Sequence, residues 1–318
     1  MQSVLVTGGA GFIGSHLCDK LIKDGYKVYC LDNLLTGSNK NIEDLLKNPN
    51  FKFIETDVSS PNFLESLPQI STLDYVFHLA SPASPIDYQK YPEETLLANS
   101  MGTLNVLKFA KETDAKILIA STSEIYGDPL EHPQKETYFG NVNTFGPRSC
   151  YDESKRFSET ATYIYLRKYD IDARIIRIFN TYGPRMQKDD GRVVSNFIVN
   201  ALNNLSFKID GDGTQTRSFC YVDDLVEGIC GAMFSRGTRG EIFNLGNPDE
   251  FTIKELAEKI VKLTNAGSEI IYSGKFREDD PMRRQPDITK AKEVLNWEPK
   301  VNLEDGLIKT IEYYKSLQ

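Results

Sequence analysis

The run Thr7-Gly8-Gly9-Ala10-Gly11-Phe12-Ile13-Gly14 constrains the fold more than any other part of this chain. It lies between a short apolar segment, Ser3-Val4-Leu5-Val6, and a stretch of helical pattern. A tight strand-to-helix turn needs Gly8, close approach of backbone to a pyrophosphate needs Gly11, and packing of helix on strand needs Gly14. The helix N-terminus at Phe12 and Ile13 then favours negative charge. Asp32 ends the second apolar run, where a carboxylate accepts hydrogen bonds from both ribose hydroxyls of a dinucleotide. No arginine follows to receive a 2′-phosphate, so the pattern points to NAD rather than NADP. Asn33, then Asp57 and Val58 after the third run, and Leu79 and Ala80 after the fourth, belong to the same expected cofactor wall.

The alternation of elements extends the reading. Val4 to Val6, Lys27 to Leu31, Phe51 to Ile54, Tyr75 to His78 and Ile117 to Ala120 are β-rich runs, each followed by a longer polar-apolar segment. That rhythm predicts βαβ units and a parallel sheet. Asp172 to Ile178 reads as a sixth strand, after a helix beginning near Tyr151. The expected fold is α/β: a doubly wound parallel sheet of Rossmann type over residues 1–178, with a smaller C-terminal α/β domain that binds substrate. A helix Val222 to Phe234 and a strand Glu241 to Leu245 are expected to return to the sheet (222–245). This leaves 179–221 and 246–318 to the second domain. Its first part holds glycine-rich and basic loops around one helix. Its tail has two amphipathic helices, Ile253 to Thr264 and Leu303 to Tyr314, flanking a charged loop, Phe276 to Pro286.

With 318 residues, 40% of them hydrophobic, the chain can bury a sizeable core. A net charge of −8 argues against a nucleic-acid binder, which needs a concentrated positive footprint. The five cysteines are scattered and never spaced as Cys-x-x-Cys, and His16, His78 and His132 show no ligand spacing. Neither a disulfide framework nor a metal site is expected. A reduced, cytoplasmic compartment follows. There is no uncharged apolar stretch of about 18 residues and no leader pattern, so no membrane association is expected.

Tyr151 and Lys155 stand one helical turn apart, so both side chains leave one face. An ammonium beside a phenol, together with the positive nicotinamide of bound NAD, favours phenolate and makes a general base for an alcohol. By itself Tyr-x-x-x-Lys is common in structural helices. Here it follows Ser121-Thr122-Ser123-Glu124-Ile125-Tyr126-Gly127, which places hydroxyls at the carboxyl edge of the sheet, where open α/β folds bind ligands.

In that order, Gly-rich turn, Ser-Thr edge and Tyr-x-x-x-Lys, the whole chain resembles the extended short-chain dehydrogenases/reductases that modify nucleotide sugars. Ser123-Glu124 after Thr122 resembles the UDP-glucuronate decarboxylases among them. So do Ala80-Ser81-Pro82-Ala83-Ser84-Pro85, Gly146-Pro147-Arg148, Tyr151-Asp152-Glu153-Ser154-Lys155-Arg156, Gly191-Arg192-Val193-Val194-Ser195-Asn196 and Asp280-Pro281-Met282-Arg283-Arg284-Gln285-Pro286-Asp287. The 4,6-dehydratases carry Asp-Glu at the positions of Ser123-Glu124, and the 4-epimerases carry small residues. One departure is Gln285, where lysine is usual.

The resemblance implies an enzyme, a carboxy-lyase that converts UDP-glucuronate to UDP-xylose by C4 oxidation, loss of CO2 and re-reduction. Thr122 would bind the sugar 4-hydroxyl, Tyr151 remove its proton beside Lys155, and Ser123 help position the hydroxyls. Glu124 and Arg284 would orient the ring and assist decarboxylation and reprotonation at C5. Asn180, Arg192 and Arg217 would face the nucleotide diphosphate, Tyr88 the sugar carboxylate, and Arg283 would add a second charge. A homodimer built on helices Glu93 to Glu112 and Tyr151 to Tyr169 is also implied. Release of the 4-keto pentose, epimerisation or 4,6-dehydration on the same scaffold, and a catalytically silent cofactor-binding regulator stay open. The residues alone favour a solvated role for Arg283 and Arg284 beside Asp279 and Asp280. Asp223-Asp224 fits a helix cap, and Trp297 fits packing of the tail.

Overall fold

The computed structural model describes residues 1–67, 70, 72–275 and 283–318. Strands β1 (Ser3–Thr7), β2 (Lys27–Asp32), β3 (Phe51–Glu55), β4 (Tyr75–His78), β5 (Lys116–Thr122) and β6 (Ala173–Ile178) join Ile242–Leu245 in one seven-stranded parallel sheet. Its order is Ile242–Leu245, β6, β5, β4, β1, β2, β3. These strands read as near-continuous apolar runs because helices cover both faces of the sheet. Val4, Leu5, Val6, Ile117, Leu118 and Ile119 are all fully buried.

The chain reverses direction across the sheet on either side of β1, and the crevice beyond the strand ends at such a switch is where this architecture binds ligands. Register puts the ends level, with Thr7 opposite both Leu31 and His78, and Thr122 opposite Ile178. The helix Val222–Phe234 packs on Phe12–Lys23 and on β5 and β6. Beyond β6, three small pairs carry the chain above the strand ends: Thr181–Tyr182 with Cys220–Tyr221, Thr216–Ser218 with Glu250–Thr252, and Phe207–Ile209 with Ile270–Tyr272. Two-residue and three-residue strands like these leave no periodicity to read.

Two local expectations are corrected. The run expected as one helix, Glu93 to Glu112, is Pro92–Leu97, a wider π-type turn Ala98–Gly102, and Thr103–Thr113. In the wide turn the Asn99 carbonyl accepts from two hydroxyls, Thr103 Oγ1 (2.7 Å) and Ser158 Oγ (2.6 Å). Asp224, expected to cap its own helix, instead accepts the backbone N–H groups of Lys300 (2.9 Å) and Val301 (2.8 Å). Trp297, buried as expected, donates to the Asp224 carbonyl at 2.8 Å, so this pair ties the tail to the sheet-covering helix. Of the charged loop, residues 276–282 lie outside those described, and with them Asp279, Asp280 and the start of the arginine motif. Among the described residues no helix is long and apolar enough to cross a membrane.

Candidate active site

A cavity of about 740 Å³ runs along the carboxyl edge of the sheet. At the end of the cavity formed by the turn after β1, Gly8 has φ +71, and a Cβ there would stand 2.8 Å from Ala80 backbone atoms. A Cβ at Gly14 would meet the Gly8 carbonyl oxygen at 2.0 Å. The helix Phe12–Lys23 begins at Gly11 with neither a side-chain cap nor an acidic residue in its first turn, which leaves its positive end to an anion. Asp32 is buried at the end of β2, with its carboxylate accepting from Ala10 N (3.0 Å) and Leu34 N (2.9 Å). Burial raises its pKa, and those backbone hydrogen bonds oppose the rise. Asn33 donates to Asp57 at 2.9 Å across the rim, and Val58, Leu79 and Ala80 line the wall beside them. Glycines that admit no side chain, an open helix N-terminus and a buried acid one strand over make a cradle that fits NAD.

At the other end Thr122 closes β5, and Tyr151 sits in the first turn of the Ser149–Tyr169 helix, hydrogen-bonded to the Thr122 side chain. Burial pushes the Tyr151 phenol up to about 12, and the Thr122 hydrogen bond opposes this. Lys155 is buried one turn on. Its Nζ donates to the Ala120 carbonyl at 2.8 Å and lies 5.9 Å from the Tyr151 ring centre. Burial also lowers the lysine to about 7. Lys155 alone therefore does not hold Tyr151 as phenolate, and further positive charge beside the ring is required. Ser123 is buried in the cavity wall next to Thr122. Tyr88, also buried, stacks on Tyr151 with ring centres 5.1 Å apart and planes 7° from parallel.

Glu124 forms the floor. Arg284 grips it with both terminal guanidinium nitrogens, Nη1 to Oε1 at 2.5 Å and Nη2 to Oε2 at 2.8 Å, and Arg148 also bonds Oε2. Burial opposes ionisation, but the two cations outweigh it and hold the carboxyl well below the usual carboxylate range. Arg284 is 4% exposed, so the solvated alternative for it is overturned. Arg283 departs from expectation: it is exposed and does not line the cavity. The segment is extended, with Gln134 N donating to the Gln285 carbonyl (2.9 Å) and Asp287 N to the Gln134 carbonyl (2.8 Å). Successive side chains on such a segment point to opposite sides, so Arg284 in means Arg283 out.

Asn180, Arg192 and Arg217 line the remaining wall. Arg192 donates to the Ala83 carbonyl at 2.7 Å and Arg217 to the Thr216 carbonyl at 2.8 Å. The residue missed by sequence reasoning is Arg148, quoted in a motif but given no role. A signal existed, because an arginine immediately before a helix opposes the helix dipole and needs another reason to be there.

A profile of the GDP-mannose 4,6 dehydratase family matches residues 5–310. A UDP-glucuronic acid decarboxylase 1 of Xenopus tropicalis is 50% identical over 314 residues, 99% of this chain and 72% of that protein. A UDP-glucuronic acid decarboxylase 6 of Arabidopsis thaliana is 53% identical over 305 residues, 96% of this chain and 86% of that protein. Among solved structures, a UDP-glucuronic acid 4-epimerase from Bacillus cereus, in complex with UDP-glucuronic acid and NAD, superposes with a TM-score of 0.89 at 30% identity, covering 100% of both chains. The fold likeness here is to an epimerase at 30% identity, whereas the identities of 50% and 53% are to decarboxylases. The chain belongs to the GDP-mannose 4,6 dehydratase family of extended short-chain dehydrogenases/reductases, alongside its UDP-glucuronic acid decarboxylases.

Proposed function

We propose that this chain is an NAD-dependent UDP-glucuronate decarboxylase that yields UDP-xylose. The observation that carries the reading is the buried Glu124–Arg284 pair beside Thr122 and Tyr151, a charged floor that a neutral hexose does not use. NAD, when bound, would supply the acceptor for the C4 hydride and, once reduced, its donor for the final reduction. Thr122 and Ser123 hold the sugar hydroxyls, and Tyr151 takes the 4-hydroxyl proton, with Lys155 one turn away on the same helix face. The resulting β-keto acid loses CO2 readily, because the charge left at C5 delocalises into the C4 carbonyl, and the enolate then takes a proton from water at C5 before C4 is reduced again. Arg284 steers the carboxylate, and Tyr88 packs beside it. Asn180, Arg192 and Arg217 take the nucleotide diphosphate, for which guanidinium forks are suited.

On this reading residues 1–178 with 222–245 hold the cofactor, and 179–221 with 246–318 hold the nucleotide sugar. The chain acts as a homodimer: Leu97, Met101, Phe157 and Ile164 expose apolar surface on the two adjacent long helical runs. The compartment is the cytoplasm, which suits five scattered thiols.

The test is to incubate the protein with catalytic NAD and, separately, UDP-glucuronate, UDP-glucose and dTDP-glucose, following CO2 and sugar products by NMR. CO2 and UDP-xylose are expected from UDP-glucuronate alone. Accumulation of NADH in proportion to CO2 would instead mean release of the 4-keto pentose. Epimerisation without CO2 would overturn the reading.

A further inference from the structure

We propose that Arg148 is a positioning residue that sets specificity: it neutralises Glu124, so that the substrate's carboxylate can share Arg284 without meeting an uncompensated buried anion. The inference rests on the decarboxylase reading above and adds to it a residue with no assigned part. Arg148 lies immediately before the Ser149–Tyr169 helix and lines the cavity. A cation there is repelled by the helix dipole and, being buried, loses hydration. The ionised Glu124 carboxylate offsets both costs, whereas burial and the Glu124 charge push the Asp152 carboxyl up to about 8. Arg148 bonds Glu124, and its Nε is 3.9 Å from an Asp152 oxygen one turn along.

The arrangement is asymmetric in a way that matters for an anionic ligand. Arg284 occupies both oxygens of Glu124, while Arg148 takes one of them. A sugar carboxylate arriving at Arg284 places two like charges on one guanidinium, and in a poorly solvated site that repulsion is weakly screened. A second cation already bonded to Glu124 removes most of it. The guanidinium carbon of Arg148 is also 5.9 Å from the centre of the Tyr88 ring, which stacks on Tyr151. Arg148 is thereby fixed relative to the ring pair against which the reacting sugar must lie. UDP-xylose lacks the carboxylate, so it should not sense the loss of Arg148.

The experiment measures binding of UDP-glucuronate and of UDP-xylose to the NADH-loaded protein, which has no hydride acceptor and so leaves both sugars unreacted, in the wild type and in Arg148→Met. Affinity for UDP-glucuronate should fall about tenfold or more, while that for UDP-xylose changes by less than about twofold. Adding Glu124→Gln removes the anion that Arg148 compensates, so the double variant should bind UDP-glucuronate within about threefold of Glu124→Gln alone. Should Arg148→Met fail to fold, Arg148→Gln, which keeps a donor toward Glu124 without the charge, decides the matter by the same selective loss. An equal loss for both sugars, or none for UDP-glucuronate, overturns the proposal. A wild type that releases no CO2 from UDP-glucuronate refutes the decarboxylase reading instead.

Discussion

Tyr151 is the residue whose chemistry depends most on what surrounds it. Burial has raised its phenol to about 12, so at neutral pH it is protonated until a positive charge is brought to its ring. Tyr151→Phe removes only the phenolic oxygen and keeps the stack on Tyr88. Turnover is expected to fall at least about a hundredfold, with UDP-glucuronate binding little changed. Retention of more than about a tenth of wild-type kcat would remove Tyr151 from the role of base. The Tyr151-Lys155 spacing and the edge hydroxyl of Thr122 were legible in the sequence. That the Lys155 ammonium is engaged by the Ala120 carbonyl was not, because that oxygen comes from a strand 35 residues earlier in the chain.

At the scale of elements, the turn joining β1 to the Phe12–Lys23 helix does two jobs with one set of glycines. It lets the helix sit close on the strand, and it leaves the helix N-terminus open to an anion. Gly14→Ala tests both. Its methyl would meet the Gly8 oxygen at 2.0 Å, and neither backbone can yield without moving the turn. A loss of about 1–3 kcal/mol in unfolding free energy is expected, together with weaker NAD binding. Chemical denaturation with and without NAD separates the two effects. Unaltered stability would mean that the turn is looser than its contacts imply. The strands were readable because a sheet covered on both faces needs apolar residues at every position. The π-type turn at Ala98–Gly102 was not, since hydroxyls 55 and more residues away from Asn99 call for it.

Across the whole molecule, the C-terminal tail packs through the buried Leu307 and Ile311 of its last helix and is tied to the Val222–Phe234 helix by the Asp224 carboxylate and the Trp297 indole. Asp224→Ala strands the N–H groups of Lys300 and Val301 and should cost about 2–4 kcal/mol, seen as a lower Tm. A Tm equal to wild type would show that packing around Trp297 suffices. The order of βαβ units, the glycine turn and the acid at Asp32 follow from local requirements: a turn needs glycine, and a covered strand needs apolar side chains. Sequence by itself therefore determined the sheet, the cofactor end of the cavity and the Thr122, Tyr151 and Lys155 group. Tertiary structure alone decided that Arg283 stays out of the site while Arg284 enters it, and that Arg148 joins Arg284 on Glu124. Three segments far apart in the chain meet there, and the partners of a buried charge depend on which carboxylate the fold brings within reach.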